Sequence, residues 1–426
     1  MKKLITMVAL CLAGLHVVYG SGYQVLLQGN RSTGMGNLSV ALNQDVSSLF
    51  FNPGAMSLLD HNGVMAGLNL IYPSNSFWNS TVENSNYTAE TETPSGTPFH
   101  MYAVWGPDES KWKIGLGFIT PFGSSVSWED GWMGRDLLQN MRLKALQFQP
   151  TASYKITDRL GIGAGLTLGY GDITLERSLF IDGQEGESGV LLEGKAGFSY
   201  GFNIGLFYAI SDKVDLGVSY RSKLIMKVDG GDATFTVPSS LSGAIPSANK
   251  FNAELPLPST INIGLTFHVN DKLDIGTEFN WVGWSAYDSL IIDFETNTPL
   301  LEDSKAPRKY EDSFVIHLGG EYKLNDKWQL RLGGYYDTTP VQDGYMSAET
   351  ADNNRIGLTA GVGFSLSERL QIDASFLYIH SDKREQTVQH AIDAGTYDAA
   401  AGNRDVLPGT YKLNALIPGL SIAYKF

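Results

Sequence analysis

The residues Gly197-Phe198-Ser199-Tyr200-Gly201 match the G-x-S-x-G pattern that surrounds the nucleophilic serine of many hydrolases. That chemistry needs the serine on a sharp turn between a strand and a helix, where its hydroxyl is exposed. Residues 195–210 instead continue one alternating pattern of side chains, which predicts a single β-strand. The sequence therefore predicts that Ser199 is an ordinary strand residue and that the protein is not an enzyme.

Other motifs for catalysis or cofactor binding are missing from the sequence. No pair of histidines has metal-site spacing, and neither an H-E-x-x-H motif nor a phosphate-binding loop occurs. The one cysteine, Cys11, precedes the predicted start of the mature chain, which excludes disulfides and thiol chemistry there. The net charge of −14 argues against a nucleic-acid partner. We expect no metal and no cofactor.

Residues 1–20 have the features of a secretory signal peptide. Lys2 and Lys3 form its basic start, an apolar core follows, and Val18 and Gly20 precede the predicted cleavage at Ser21. No later apolar run reaches the roughly 18 residues that a membrane-spanning helix needs. The 47 glycines, the 11% aromatic share and the 18% charged share are typical of a β-rich protein. The sequence predicts an exported protein built from strands.

A short turn pattern recurs along the rest of the chain. Each copy has an aliphatic residue, a small polar residue, an acid and a base, a composition that favours tight turns. The copies, with one looser version, lie at residues 107–111, 156–159, 210–213, 269–272, 324–327 and 366–369. Long polar connections alternate with them, at residues 73–98, 121–142, 182–191, 229–250, 287–309, 338–352 and 385–407. Six turns and seven loops predict fourteen strands, with the short turns at one end of a barrel.

Apolar side chains alternate with polar or small ones inside the predicted strands. Along residues 370–378, Leu370 and Ile372 share one face, whereas Gln371 and Asp373 share the other. Successive side chains of a strand point to opposite faces, so one face suits lipid and the other a polar lumen. The fold class predicted for residues 61–426 is all-β, a transmembrane antiparallel β-barrel of about fourteen strands in a bacterial outer membrane.

The chain ends in an aromatic residue on such a strand. Leu420, Ile422, Tyr424 and the terminal Phe426 share one face. A C-terminal aromatic of this kind resembles the insertion signal that the barrel assembly machinery recognises in outer-membrane proteins. We therefore expect that machinery, through Phe426, and outer-membrane lipid to be partners of the protein.

Residues 21–60 do not alternate cleanly. A glycine-rich start is followed by a more apolar stretch at residues 46–59. A piece of about 40 residues cannot bury a core of its own. It would either fold inside the lumen as a plug or remain a periplasmic tail, and its apolar content favours the plug, here termed the hatch.

A series of short motifs along the chain resembles, in sequence and in order, the motifs of the FadL family of outer-membrane transporters for long-chain fatty acids and other hydrophobic compounds. The motifs are Ser21-Gly22-Tyr23-Gln24, Gly34-Met35-Gly36, Asn52-Pro53, Trp132-Met133-Gly134-Arg135, Tyr220-Arg221-Ser222, Trp281-Val282-Gly283-Trp284-Ser285 and Asp337-Thr338-Thr339-Pro340-Val341. The resemblance runs from residue 21 to residue 426 and implies a fourteen-stranded barrel plugged by an N-terminal hatch. It identifies Gly22, Tyr23, Asn52 and Pro53 as hatch residues. At the hatch turn this chain has Gly54-Ala55 where the family usually has Ala-Gly.

The resemblance also implies a function. Members take up long-chain fatty acids or similar hydrophobic molecules, which extracellular loops capture and a lumenal pocket near the hatch then binds. After the hatch rearranges, release into the membrane is lateral, through a gap at a kinked third strand. An aromatic hydrocarbon channel of the same family and a general porin are the alternatives.

The parts of such a route can be sought in this sequence. A low-affinity groove is predicted in the loop at residues 121–142, and packing of this loop against a neighbouring loop is the alternative. The groove residues are Phe122, Trp128, Trp132, Met133, Leu137, Leu138 and Met141. Pro121 and Gly123 predict the lateral kink, because proline cannot donate to a strand ladder and glycine permits a bend. Pro121 would equally well end the strand.

Arg177 is the residue predicted to hold a ligand carboxylate. Alternation in the fifth strand directs its odd positions into the lumen, and Arg177 aligns with an arginine that the family uses in this role. A planar guanidinium matches the two oxygens of a carboxylate. The candidate helpers before the tenth strand are Lys305, Arg308 and Lys309. A lumenal salt bridge, for example to Glu321, is the alternative role of Arg177.

Overall fold

The computed structural model describes residues 22–42, 45–79, 87–179, 188–398 and 403–426. The predicted signal peptide, residues 1–20, lies outside these ranges. None of the helices among the described residues is long and apolar enough to cross a membrane.

Fourteen antiparallel strands form one closed barrel, which confirms the predicted fold class. The first strand closes the barrel against the last, with Gly63 opposite Lys425 and Asn69 opposite Gly419. The strands, several of them in two segments, are β1 (Gly63–Asn69, Tyr72–Trp78), β2 (Thr88–Glu90, Phe99–Trp105), β3 (Trp112–Ser127), β4 (Asn140–Thr157), β5 (Leu160–Ser178), β6 (Gly189–Ser211), β7 (Val214–Arg221, Leu224–Thr236), β8 (Ala248–Leu257, Thr260–Asn270), β9 (Leu273–Val282, Ser289–Phe294), β10 (Ser304–Pro307, Ser313–Lys323), β11 (Trp328–Asp337), β12 (Arg355–Ser365), β13 (Leu370–Ser381, Arg384–Gln386) and β14 (Gly409–Lys425).

The remaining elements are short. The helices are α1 (Asn30–Gly34), α2 (Ser48–Phe51), α3 (Pro53–Met56) and α4 (Val388–Asp393), with one 3₁₀ turn (Trp284–Ala286) and a small hairpin (Tyr397–Asp398, Asn403–Arg404). Helices α1 to α3 precede the first strand, whereas α4 lies in the loop between β13 and β14.

The six predicted turns connect consecutive strands at one end of the barrel, as between Thr157 of β4 and Leu160 of β5. At the other end the strands are longer than predicted. The loop predicted at residues 121–142 covers only residues 128–139, because β3 continues to Ser127 and β4 begins at Asn140. These strand ends extend beyond the apolar belt of the barrel, so their outer side chains need not be apolar and the alternating pattern does not mark them.

An apolar belt surrounds the outside of the barrel. Leu166, Leu318 and Leu332 are 62%, 62% and 71% exposed on three of its strands. A continuous exposed apolar surface of this kind is unfavourable in water, and around a closed barrel it is the surface that faces lipid. The same alternation places Ser199 of the G-x-S-x-G pattern on the inner face of β6, where it is buried and its hydroxyl donates to the carbonyl of Gly169 (3.3 Å). This confirms Ser199 as a strand residue.

The N-terminal segment, residues 22–42 and 45–59, packs against the inner wall. Helix α1 contacts β12 and β13, and α3 contacts β4, β5 and β6. The carboxylate of Glu278 on β9 accepts hydrogen bonds from the backbone N–H groups of Ser39 (2.8 Å) and Val40 (3.0 Å). At Gly217 of β7, a Cβ would overlap the carbonyl of Val40. The wall therefore needs glycine where the segment approaches it most closely.

A buried ionic network joins α1 to the barrel. The guanidinium of Arg331 on β11 bonds to Glu321 of β10 (2.6 Å) and Asp373 of β13 (2.6 Å), and Arg31 of α1 bonds to Glu321 (2.6 Å). Because buried charges are costly unless they are paired, two arginines and two carboxylates form a balanced set. Glu321, considered above as a partner of Arg177, is occupied by this network.

Candidate functional site

The extracellular halves of β4 to β9 turn apolar side chains into the lumen. We call this region the apolar chamber, and its empty space, together with the solvent space open to it, is about 510 Å³. Its apolar lining is Leu143, Ile173, Leu175, Leu192, Ala196, Met226, Val228, Phe251, Ala253, Leu255, Leu290 and Ile292, with Asp172 and Glu254 as its charged members. A porin lumen that conducts water and ions is polar. The chamber instead suits a molecule that gains from leaving water.

Arg177 lies on β5, one inward position beyond the apolar chamber. Among the described residues, the charges that act on it are the carboxylates of Asp136, Glu349 and Asp405 and the guanidinium of Arg308. A guanidinium stays protonated in proteins. The lumen therefore has a fixed positive charge at the extracellular end of the apolar chamber.

The structure brings one of the three candidate helpers to Arg177. Arg308 is buried, forms an ion pair with Glu349, and acts electrostatically on Arg177. Lys309 is exposed and bonds to Asp288 (2.5 Å), and Lys305 is also exposed. Arg177 and Arg308 therefore provide two guanidinium groups, among three carboxylates, at the extracellular end of the chamber, and the two lysines lie outside it.

An aromatic cluster surrounds Tyr23 at the start of the N-terminal segment. The ring of Tyr23 meets Trp284 (4.6 Å between centroids), Tyr287 (5.9 Å) and Phe122 (6.4 Å). The preceding residue, Gly22, has φ +56°, and a Cβ there would lie 2.7 Å from the Trp284 ring, so the contact requires glycine. The sequence predicts roles for Gly22, Tyr23 and Phe122 but no contact with Trp284 or Tyr287, which lie in and just after the 3₁₀ turn between the two segments of β9.

Asn52 and Pro53 form the turn between α2 and α3. The side chain of Asn52 accepts a hydrogen bond from Gly54 N–H (3.0 Å), as a helix N-cap does, and Pro53 takes the first helical position. The side-chain amide of Asn52 also donates to the carbonyls of Val40 (2.7 Å) and Leu206 (3.0 Å). The turn is therefore fixed to both the N-terminal segment and β6.

The predicted groove residues lie in a packed cluster in this structure. Trp128 and Trp132 stack with their ring centroids 4.3 Å apart, and both side chains are buried, as is Leu138. Met133, Leu137 and Met141 are partly buried against the same cluster, and Phe122 is buried at its lower end beside Tyr23. A ligand would have to separate these side chains to bind among them. The capture groove stays a prediction.

Strands β2 and β3 separate at Pro121. Their ladder ends with His100 opposite Ile119, and the register between β3 and β4 shifts between Ile119 and Phe122. Here the N-terminal segment pairs with the free edge of β3. Val25 N–H donates to the Pro121 carbonyl (2.9 Å), and Gly123 N–H donates to the Tyr23 carbonyl (3.1 Å). Pro121 therefore bends β3 without ending it, and the wall at this point includes the N-terminal segment.

Comparison with known proteins places this chain in a family. The model of the family described as "Outer membrane protein transport protein (OMPP1/FadL/TodX)" matches residues 17–426. A putative outer membrane protein of Neisseria meningitidis is 24% identical over 478 residues, covering 100% of this chain and 99% of the relative. The long-chain fatty acid transport protein of Escherichia coli K12 is 20% identical over 452 residues, covering 96% of this chain and 98% of the relative.

Solved structures share the fold. A FadL homologue of Pseudomonas aeruginosa superposes with a TM-score of 0.81 at 19% identity, covering 95% of this chain and 100% of the homologue. The toluene transporter TodX of Pseudomonas putida gives 0.71 at 17% identity, covering 96% and 99%. The family consists of transport proteins of the outer membrane and not of enzymes. Because the family model covers almost the whole sequence, this chain belongs to the OMPP1/FadL/TodX family of outer-membrane transport proteins.

Proposed function

We propose that the protein takes up long-chain fatty acids across the outer membrane. The observation that carries this proposal is the position of the apolar chamber beneath the guanidinium groups of Arg177 and Arg308. An amphiphile with a carboxylate head and an alkyl tail matches both parts. Each buried CH₂ group contributes about 0.8 kcal/mol, and a guanidinium holds a carboxylate with two hydrogen bonds.

In this proposal the ligand follows a lateral route. Loop side chains around Trp128 and Trp132 separate to admit it, the chamber binds it, and the N-terminal segment acts as the hatch. Movement of Tyr23 to Val25 away from Pro121 and Gly123 would then open the wall between β2 and β3 toward lipid. A fatty acid gains little by entering the periplasm and much by entering the bilayer, which favours a sideways exit.

Uptake of aromatic hydrocarbons is the second candidate function, because the apolar chamber would also accept an uncharged ring. TodX, a toluene transporter, shares the fold. The two candidates differ in their need for a positive charge at Arg177. A general porin is disfavoured, because its lumen would be polar.

This function can be tested in cells that lack the protein. The cells are complemented with the wild-type protein or with a variant, and their uptake of radiolabelled ligands is measured. Wild-type protein should restore uptake of radiolabelled oleate more strongly than uptake of radiolabelled toluene. Leu192→Asp, at a chamber position that is 4% exposed, should lower oleate uptake by about tenfold or more, because a charge in the chamber is costly and repels the carboxylate. Leu191→Asp, on the opposite face of β6, is the matched control. Normal uptake by both variants would place the route outside the chamber, and toluene uptake alone would favour the hydrocarbon candidate.

Arg177→Ala should weaken oleate binding to the purified protein by about 10- to 100-fold, as expected for a lost hydrogen bond to a charged group. Binding of an uncharged hydrocarbon of the same length should barely change. Equilibrium binding of the two radiolabelled ligands measures both effects. Arg142→Ala, at an exposed position on β4, is the control and should bind both ligands normally. Equal losses for both ligands would show that Arg177 has a structural role.

A further inference from the structure

A second arginine, Arg221 of β7, faces the lumen closer to the periplasm and is only 7% exposed. Its guanidinium donates to Gln149 Oε1 (2.9 Å), to the Phe50 carbonyl (2.9 Å) and to Thr167 Oγ1 (3.4 Å). It also lies 4.2 Å from the centroid of the Phe50 ring. All of these partners are neutral. Across the described part of the chain, no carboxylate forms an ion pair with Arg221.

This arginine differs from other buried arginines of the lumen. Arg331 is paired with Glu321 and Asp373, and Arg308 is paired with Glu349. A buried charge without a counter-ion is costly, because hydrogen bonds to neutral groups replace only part of its hydration. An anion that enters the lumen from outside would supply the counter-ion that the described residues do not provide for Arg221.

Arg221 opens onto a cavity, here called the lower cavity, whose empty space, together with the solvent space open to it, is about 650 Å³. Asn203 of β6 lines it directly opposite Arg221 in the strand pairing. Asn203 is 2% exposed, and among the described residues neither its amide nitrogen nor its amide oxygen has a hydrogen-bond partner. One end of the lower cavity therefore presents a positive charge and an unused amide donor side by side.

Part of the lower cavity is apolar and lies at the break in the wall. Its apolar lining is Val25, Leu26, Phe50, Phe51, Pro121 and Phe122. The remaining lining residues are polar and include Glu278, whose carboxylate accepts hydrogen bonds from the backbone of Ser39 and Val40. Pro121 and Phe122 belong to the segment where β3 leaves β2. The polar end, the kink and the N-terminal residues that pair with it therefore line the same cavity.

The lower cavity is separate from the site at Arg177. Arg221 contacts Thr167 of β5, and Arg177 lies ten residues further along the same strand. At about 3.3 Å per residue, the two positions are roughly 33 Å apart along β5. One carboxylate cannot contact both arginines at once.

We infer that Arg221 and Asn203 form a second carboxylate-binding site, which holds the head group of the transported amphiphile next to the lateral kink. The inference rests on the proposed function, because it assumes an anionic amphiphile as the ligand. The guanidinium provides charge and planar donors, the Asn203 amide adds a neutral donor, and the aromatic and aliphatic lining receives the first part of the tail. A ligand that leaves the site at Arg177 therefore has a second binding position before it enters lipid.

Equilibrium dialysis of the purified full-length protein with radiolabelled oleate tests the second site. Wild-type protein should bind two oleates, and Arg221→Gln should bind one at the original affinity and the other about 10- to 100-fold more weakly. Glutamine can still donate to the Phe50 carbonyl, so the contact with α2 can persist without the charge. Arg177→Gln should remove the other site. Oleyl alcohol, which has the same chain and no charge, should bind all three proteins equally.

Asn203→Asp provides an independent variant. It places a carboxylate opposite Arg221 and so supplies an internal counter-ion, which should eliminate the second oleate while the barrel keeps its heat-modifiable migration in gels. Asn252→Asp, at an exposed position on β8, adds the same charge elsewhere and should still bind two oleates. Unchanged binding of oleate by both Arg221→Gln and Asn203→Asp would overturn the second site and leave the proposed function in place. If wild-type protein bound no oleate, both would fail.

Discussion

A disulfide between cysteines placed at Gln24 and Phe122 should stop uptake of oleate and leave binding of oleate in the apolar chamber at Arg177 intact. In the structure, residues 23–25 pair with the free edge of β3 at the kink. If the ligand leaves through this part of the wall, the paired segment has to move away from β3. A covalent bond prevents that movement but leaves the apolar chamber and Arg177 unchanged.

The geometry at this position is suited to a cross-link. Gln24 and Phe122 face each other as a bridge pair, flanked by the bonds from Val25 to Pro121 and from Gly123 to Tyr23. This is the closely spaced type of antiparallel pair, in which the Cα atoms lie about 4.5 Å apart, within the range that a disulfide spans. The sequence has one cysteine, Cys11 in the predicted signal peptide, so no other thiol is expected to interfere in the mature protein.

Uptake is measured in cells under oxidising conditions and again after reduction with dithiothreitol, which should restore it. The reduced double variant corrects for the loss of the Phe122 ring. A cysteine pair at Ala360 and Phe376, which face each other in the continuous ladder between β12 and β13, is the matched control and should transport in both states. Full uptake by the oxidised Gln24–Phe122 pair would mean that the ligand travels along the barrel axis instead.

Deletion of residues 21–59 should give a barrel that still inserts but conducts ions several-fold more than the complete protein in planar bilayers. The β1 to β14 ladder closes without any contribution from this segment, because Gly63 to Asn69 pair directly with β14. The segment packs against β4, β5, β6, β12 and β13, so its removal leaves open space across the lumen. Unchanged conductance would show that the segment does not limit the passage of ions.

A point variant provides a milder test of the same role. Gly217→Leu would force its side chain into the backbone of Val40, so the segment should be displaced and conductance should rise less than in the deletion. Val218→Leu, at the neighbouring position whose side chain points to the other face of β7, is the matched control and should conduct like the complete protein. If Gly217→Leu conducted like the complete protein, close packing at β7 would not be what holds the segment in place.

The barrel can be predicted from local patterns in the sequence. Turns such as residues 156–159 and 210–213 marked the periplasmic ends, and alternation in residues 214–221 separated the outer face from the inner one. Both signals are local, because a turn depends on its own few residues and side-chain direction has a period of two along any strand. The same alternation predicts that the side chain of Arg177 points into the lumen, and it predicts the same for Arg221.

The contacts between side chains inside the lumen follow from the three-dimensional arrangement of the strands. Parity gives the face of a residue but neither its height in the barrel nor its partner. It could not show that Glu321 is bound by Arg31 and Arg331, or that Arg221 faces Asn203 without a carboxylate. The alternating pattern also could not predict the pairing of Gln24 with Phe122. These contacts join residues far apart in the chain, and they depend on the register of fourteen strands and on where the N-terminal segment packs, neither of which a local pattern contains.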